Sequence, residues 1–221
     1  MMLRRIDHAA LALLALEAAV ALYIGRHGPS GPIPLHFGLS GAADAWGDRT
    51  QAAWSLAGLI AVEVMVLATL RLASSSQPSR IRLRGLAYAQ IIVLASFAAF
   101  TALAAGLAFR PNTLAAGRDG FTLAILSFAW LAIGAFLGKT APNALVGVRT
   151  YWSRNSRLAW DKSNRLAGRI FYWAGLAGLI ASPLLPEPEG TQALLAVILV
   201  GCAAGVLESW RVWRRDPDRT A

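Results

Sequence analysis

The sequence predicts an all-α integral membrane protein with about six transmembrane helices and both termini in the cytoplasm. Three observations carry that reading. Of 221 residues, 56% are hydrophobic and only 15% charged, with a mean hydropathy of +0.50, too little polar surface for a soluble globule of this size. Apolar runs near the ~20 residues that a spanning helix needs recur at 6–25, 52–72, 86–109, 121–138, 167–185 and 192–210. Placing the N-terminus inside leaves only Arg26, Arg49, Arg110 and Arg118, of 21 Lys and Arg residues, on the outer side. Cytoplasmic loops carry that excess of cations because it sets the orientation of insertion. Segments 26–51, 110–120 and 186–191 are then outside, and the last of these, around Glu187 and Glu189, carries no cation.

The start, with Arg4 and Arg5 before an apolar run, has the basic opening of a signal peptide. The run is long, Glu17 interrupts it, and no small-x-small cleavage pattern follows, so it reads as a retained anchor. The outer loop that follows carries prolines at 29, 32 and 34, which exclude regular helix and pre-set an extended path. His36 and Asp44 belong to a constrained turn set with Pro34, Phe37, Gly38 and Gly41. Two readings are open: a ligand or cation site built from His36 and Asp44, with His27 and Asp48 as further candidates, or a self-contained loop. In the second, His36 hydrogen-bonds the backbone, Asp44 caps a short helix leading into the second span, and Trp46 joins the interfacial aromatic belt. Were the tail of the loop helical, Asp44 and Asp48 would share a face. No His pair or Cys spacing of a zinc site is present, and no metal or cofactor is expected.

Glu17 near the middle of the first span and Glu63 just past the middle of the second fall at similar depth, because the two helices are antiparallel neighbours. Two carboxylates at one depth repel unless at least one is protonated, and an ionisable group inside a membrane is costly to retain. They form either a proton-coupled or cation site, or a structural pair bonded to a neighbouring helix. The Ser, Pro and Arg linker 74–85 divides a two-helix segment, 1–73, from a four-helix segment, 86–221, within one membrane domain. Gly134-x-x-x-Gly138 and Gly201-x-x-x-Gly205 have the small-residue spacing that lets helices approach closely in lipid. The lone Cys202 excludes an intramolecular disulfide.

The longest polar insert, 138–171, concentrates Lys139, Arg149, Arg154, Arg157, Lys162, Arg165 and Arg169 between apolar runs, which keeps it outside hydrocarbon. Pro142 and Asn143 end the fourth helix and Gly147 permits a turn. Residues 153–169 can then form an amphipathic interfacial helix, with Trp152, Leu158, Trp160 and Leu166 dipping into the headgroups. Arg149, flanked by Thr150 and Trp152, is suited to bind a carboxylate bidentately, with Asn143, Trp160, Asn164 and Gly168 as the shell that sets its geometry.

The pattern Asn143, Gly147, Arg149, Thr150, Trp152, Trp160, Asn164, Arg165, Gly168 resembles the signature of the SdpI-type immunity proteins of bacterial membranes. The outer-loop set Pro34, His36, Phe37, Gly41 and Asp44 resembles a small membrane domain of unknown function that often precedes it. The resemblance implies a multi-span protein of the bacterial cytoplasmic membrane that protects against a secreted antimicrobial peptide. It also implies, as partners beside membrane lipids, a peptide toxin outside and a captured transcriptional repressor inside. The position of Asn164 is commonly His in that family, so a titratable group is missing here. Direct nucleic-acid binding is not expected, since the cations sit between apolar runs and face the anionic leaflet. Without a Ser-centred elbow, HExxH or phosphate-binding Gly loop, the chain reads as a non-enzyme; the alternative function is a small proton-coupled transporter using Glu17 and Glu63.

Overall fold

The computed structural model describes residues 2–37, 43–75, 80–109 and 120–219. Among them, seven helices and one two-stranded sheet follow in order. These are α1 (Met2–His27), β1 (Ile33–Phe37), β2 (Ala43–Gly47), α2 (Arg49–Ser75), α3 (Arg80–Phe109), α4 (Phe121–Leu137), α5 (Tyr151–Arg154), α6 (Arg157–Ala181) and α7 (Glu189–Trp213).

Solvent preference is inverted relative to a soluble fold. Leu11, Leu16, Trp54, Met65, Leu199 and Val200 are 60–74% exposed, while Glu17, Glu63 and Asn164 are buried. Lipid selects that arrangement, because apolar side chains lose nothing by facing hydrocarbon whereas polar groups must find partners within the protein. Helices α1, α2, α3 and α7 are each long and apolar enough to cross a membrane, and α4 is apolar but, at 17 residues, shorter. Helix α6 is not among them, because its first half carries Arg157, Asp161, Lys162, Arg165 and Arg169. The chain is a multi-pass membrane protein.

The outer loop departs from the all-α expectation. Its ends form an antiparallel hairpin, with Ile33 opposite Gly47, Pro34 opposite Trp46 and Phe37 opposite Ala43, and with irregular register around His36. Proline tolerates this place because an edge strand has ladder positions that need no N–H. Ile33 anchors the hairpin, buried among Ala21 and Ile24 of α1, Leu56 of α2 and Ala108 of α3. The helical tail expected at Asp44 is absent: Asp44 lies in β2, and the cap of α2 is Asp48. The Asp48 carboxylate accepts from Gln51 N at 2.8 Å and the Gln51 side chain accepts from Asp48 N at 3.0 Å, a reciprocal capping box. Gly38 and Gly41 lie outside the described residues.

Helices α1, α2 and α3 enclose one cluster at the linker end, with Ile6, Leu67, Leu70, Leu86 and Val93. A second cluster joins Ile92 of α3 to Leu123 and Leu137 of α4, Ala167 and Phe171 of α6, and Leu194 and Ile198 of α7. Helix α3 therefore belongs to both halves. Helices α4 and α6 run antiparallel and cross along glycines: a Cβ on Gly134 would lie 2.2 Å from Tyr172 N, and one on Gly175 would lie 2.5 Å from Leu131 N. The second small-residue pair, Gly201 and Gly205, faces Phe171 and Ala167 of α6.

Because no hydrophobic force holds helices together in lipid, this backbone contact is a main source of α4–α6 affinity. Gly134→Ala is expected to destabilise the protein by about 1–3 kcal/mol through overpacking, read as thermal melting in detergent. Gly58→Ala, where an added Cβ meets nothing within 4 Å, is the control and should leave melting unchanged or raise it. A Gly134→Ala protein that melts with the control would refute the glycine-lined contact.

Candidate functional site

The segment between α4 and α6 is irregular backbone, so those of its amides that are buried need partners from side chains. Asn143 supplies four hydrogen bonds. Its amide nitrogen donates to the carbonyls of Ala141 and Val146, both at 2.9 Å. Its oxygen accepts from Leu145 N at 2.8 Å and Val146 N at 2.7 Å. That uses its full capacity, and the residue is a turn organiser with nothing left for a ligand. Helix α4 has already ended at Leu137, earlier than the proline and asparagine suggest, with Gly138 as its C-cap.

Trp160 and Asn164, one turn apart on α6, hold the segment at two points. Trp160 donates from Nε1 to the carbonyl of Thr140 at 3.0 Å, and the Asn164 oxygen accepts from Val148 N at 2.7 Å. Asn164 also donates to the Trp160 carbonyl at 2.9 Å. Both side chains are fully buried, which corrects the interfacial placement of Trp160. The expected amphipathic helix is not a separate element either: a four-residue α5 is followed by α6, which runs unbroken from the polar segment into the apolar one. Gly147 has φ of 136°, and a Cβ there would lie 2.8 Å from the Trp160 ring and 2.9 Å from the Asn164 oxygen. Only glycine meets both demands. Gly168, one turn beyond Asn164, sits at the α4 crossing beside the Gly134 carbonyl.

Thr150 caps α5, accepting from Ser153 N at 3.1 Å, and meets the Ser209 hydroxyl of α7 at 2.7 Å. Ser156 caps α6, accepting from Ala159 N, and donates to the Asp216 carboxylate beyond α7. Trp152 is half-buried beside this capped turn. Arg149 stands between Val148 and Thr150, exposed, and among the described residues it enters no ion pair. The result is a hydrogen-bonded knot with the Arg149 guanidinium exposed on its surface.

Two further places hold the remaining predicted residues. On the hairpin, His36 Nδ1 lies 2.5 Å from Asp44 Oδ1, with both side chains more than half exposed. His27 instead stacks on Tyr23 and Asp48 is the helix cap, so neither joins that pair. Between α1 and α2, the Glu17 and Glu63 carboxyls are buried and near enough to interact. Among the described residues, none of their four oxygens forms a hydrogen bond of good geometry.

Residues 139–209 match the family model of the SdpI/YfhL protein family. This segment is of the SdpI type. The match takes in the knot, α5, α6 and most of α7, while the hairpin and α1–α3 lie outside it. No curated protein and no solved structure matches the chain.

Sequence reasoning missed several residues of the SdpI-type segment and its border. Ser209 and Asp216 tie α7 to the polar segment, and the Glu187 carboxylate accepts from Leu123 N at 2.7 Å at the start of α4. Each pairs with a residue at least 59 positions away, so no local pattern could have announced it.

Asn164 uses one acceptor and one donor toward its neighbours, a set that a neutral imidazole can also offer. Asn164→Leu, which orphans Val148 N–H, should cost about 1–3 kcal/mol in detergent melting. Asn164→His should fold better than Asn164→Leu at pH 8. It should then lose stability as pH falls through the ordinary His value of about 6.5, because the acceptor role holds the imidazole neutral in the folded state only. Melting of Asn164→His that is flat between pH 8 and pH 5.5 would refute the acceptor role.

Proposed function

We propose that this is a membrane immunity or sensing protein of the bacterial cytoplasmic membrane, conferring resistance to a secreted antimicrobial peptide. The observation that carries the reading is the coincidence of the SdpI-type match with the knot that leaves Arg149 exposed and, among the described residues, without an ion pair. The membrane is crossed six times, with α4 and the apolar half of α6 as the fourth and fifth spans. Both termini and the knot lie on the cytoplasmic side, following the distribution of Lys and Arg. The hairpin, with His36 and Asp44, then faces outward and meets the peptide. Arg149 offers a cytoplasmic repressor a guanidinium for bidentate contact with a carboxylate.

The test is survival of a sensitive bacterium expressing the protein and challenged with a panel of secreted membrane-active peptides. His36→Ala and Arg149→Ala are compared with the wild type at matched membrane levels. Loss of protection in His36→Ala and loss of relay to a reporter in Arg149→Ala are expected. Unchanged relay by Arg149→Ala would sink its role, and protection against no peptide would remove the immunity reading.

A second reading is favoured by one observation, the paired burial of Glu17 and Glu63, near enough to interact with each other. Such a pair suits a small proton-coupled transporter, since an intramembrane carboxyl is costly to retain. It predicts that Glu17→Gln or Glu63→Gln in proteoliposomes abolishes pH-dependent uptake or efflux. Transport indifferent to both substitutions excludes this reading.

A further inference from the structure

Between α6 and α7 lies an open groove of about 450 Å³, lined by Lys162, Arg165, Leu166 and Arg169 of α6 with Glu208 and Arg211 of α7. It continues toward the chain end past Val212 and Arg215. Five cations therefore face one carboxylate, and that carboxylate is engaged, with Glu208 Oε2 at 3.0 Å from Arg211 Nε. Among the described residues, the side chains of Lys162, Arg165, Arg169 and Arg215 show no hydrogen bond or ion pair. Like charges that converge in this way concentrate anions around them.

The groove is also placed at a boundary. Positions 162, 165, 169 and 173 follow one face of α6, and positions 197, 200, 204, 208, 211 and 215 follow one face of α7. Beyond the cations these faces become apolar and open, with Trp173 and Ile180 on α6 and Val197 and Val200 on α7 exposed. Ala167 faces Gly205, so Arg169 stands beside the apolar part of α7, deeper than Glu208. A guanidinium at that depth reaches up to the interface and needs a partner at the edge of the hydrocarbon.

We propose that this groove is a binding site for an anionic phospholipid. The phosphodiester lies among Arg165, Arg169, Lys162 and Arg211, and the acyl chains run along the exposed apolar stripe below. A soluble anion would use the cations and leave the stripe idle, whereas a lipid uses both. Basic pockets between membrane helices commonly hold anionic headgroups in this manner. The inference rests on the proposed placement of α6 and α7 as spans and is independent of the immunity reading.

Native mass spectrometry of the purified full chain in neutral detergent tests it, by titration with phosphatidylglycerol, phosphatidylcholine or inorganic phosphate. Retention of phosphatidylglycerol over phosphatidylcholine is expected. Arg165→Gln/Arg169→Gln should weaken it roughly tenfold or more, at about a fivefold factor per cation. The control Arg84→Gln/Arg154→Gln removes the same charge away from the groove and should bind like the wild type. Lys162→Gln alone, which is exposed and does not test folding, should still weaken binding severalfold. Equal retention of phosphatidylcholine, competition by inorganic phosphate at the lipid's own affinity, or groove variants that bind like the control would each overturn the proposal.

Discussion

The hydrogen bond from Val148 N to Asn164 is the constraint on which the polar end of the molecule depends. The buried amides and carbonyls of an irregular segment need partners that no regular element supplies, so a side chain must reach in from a helix. Asn164 does so at Val148, and Trp160, one turn earlier on the same helix, does so at Thr140. A single turn of α6 thus pins both arms of the segment. The rest follows from steric necessity. Gly147 must lack a side chain because Trp160 and Asn164 occupy its space, and α6 must lie close to α4 for Trp160 to reach Thr140. The glycines at 134, 168 and 175 supply that closeness.

Arg149 is fixed by its neighbours more than by contacts of its own. Val148 is held by α6 through Asn164, and Thr150 is held by α7 through Ser209. The guanidinium therefore projects from a single residue spanning two anchors on two different helices. Sliding α6 against α7 must strain one bond or the other, and either change re-aims Arg149. A side chain presented in this way can report helix packing without touching the ligand that alters it, which is the physical content of a relay.

Much of the fold was legible because membrane helices declare themselves by composition. The apolar runs located every long helix, and antiparallel succession placed Glu17 and Glu63 at one depth. The hairpin was less legible: its strands are five residues each, too short for an alternation signal, and one contains proline. The cap of α2 was readable in Asp48-x-x-Gln51 and was overlooked in favour of Asp44. Trp160 beside several cations looks like an interfacial anchor, and only its partner at Thr140, 20 positions back, identifies it as a core residue. Local pattern singled out Asn143, Gly147, Trp160 and Asn164 around Arg149, but their division into buried scaffold and exposed guanidinium is a tertiary property.

The polar side chains of the knot are bonded: Asn143, Trp160, Asn164, Ser156 and Asp216 all have partners. Among the described residues, buried polar atoms without such a bond lie throughout the bundle, on Gln90 of α3, Ser127 of α4, and Thr191 and Trp213 of α7, beside the Glu17 and Glu63 pair. Burying polar groups without partners is expensive, so the knot is the well-tied part of the molecule. Helix α3 meets the start of the knot, where a Cβ on Gly85 would lie 2.3 Å from Ala141 N. Val146 of the knot packs against the hydrophobic clusters of both halves. Because Asn143 holds both the N–H and the carbonyl of Val146, a shift of α3 against that side chain is delivered to backbone two residues from Val148. The helices before the match and the SdpI-type segment are therefore joined through α3, by Ile92 in the second cluster, by Gly85 against Ala141 and by Val146, and Val146 carries that contact to within two residues of Val148.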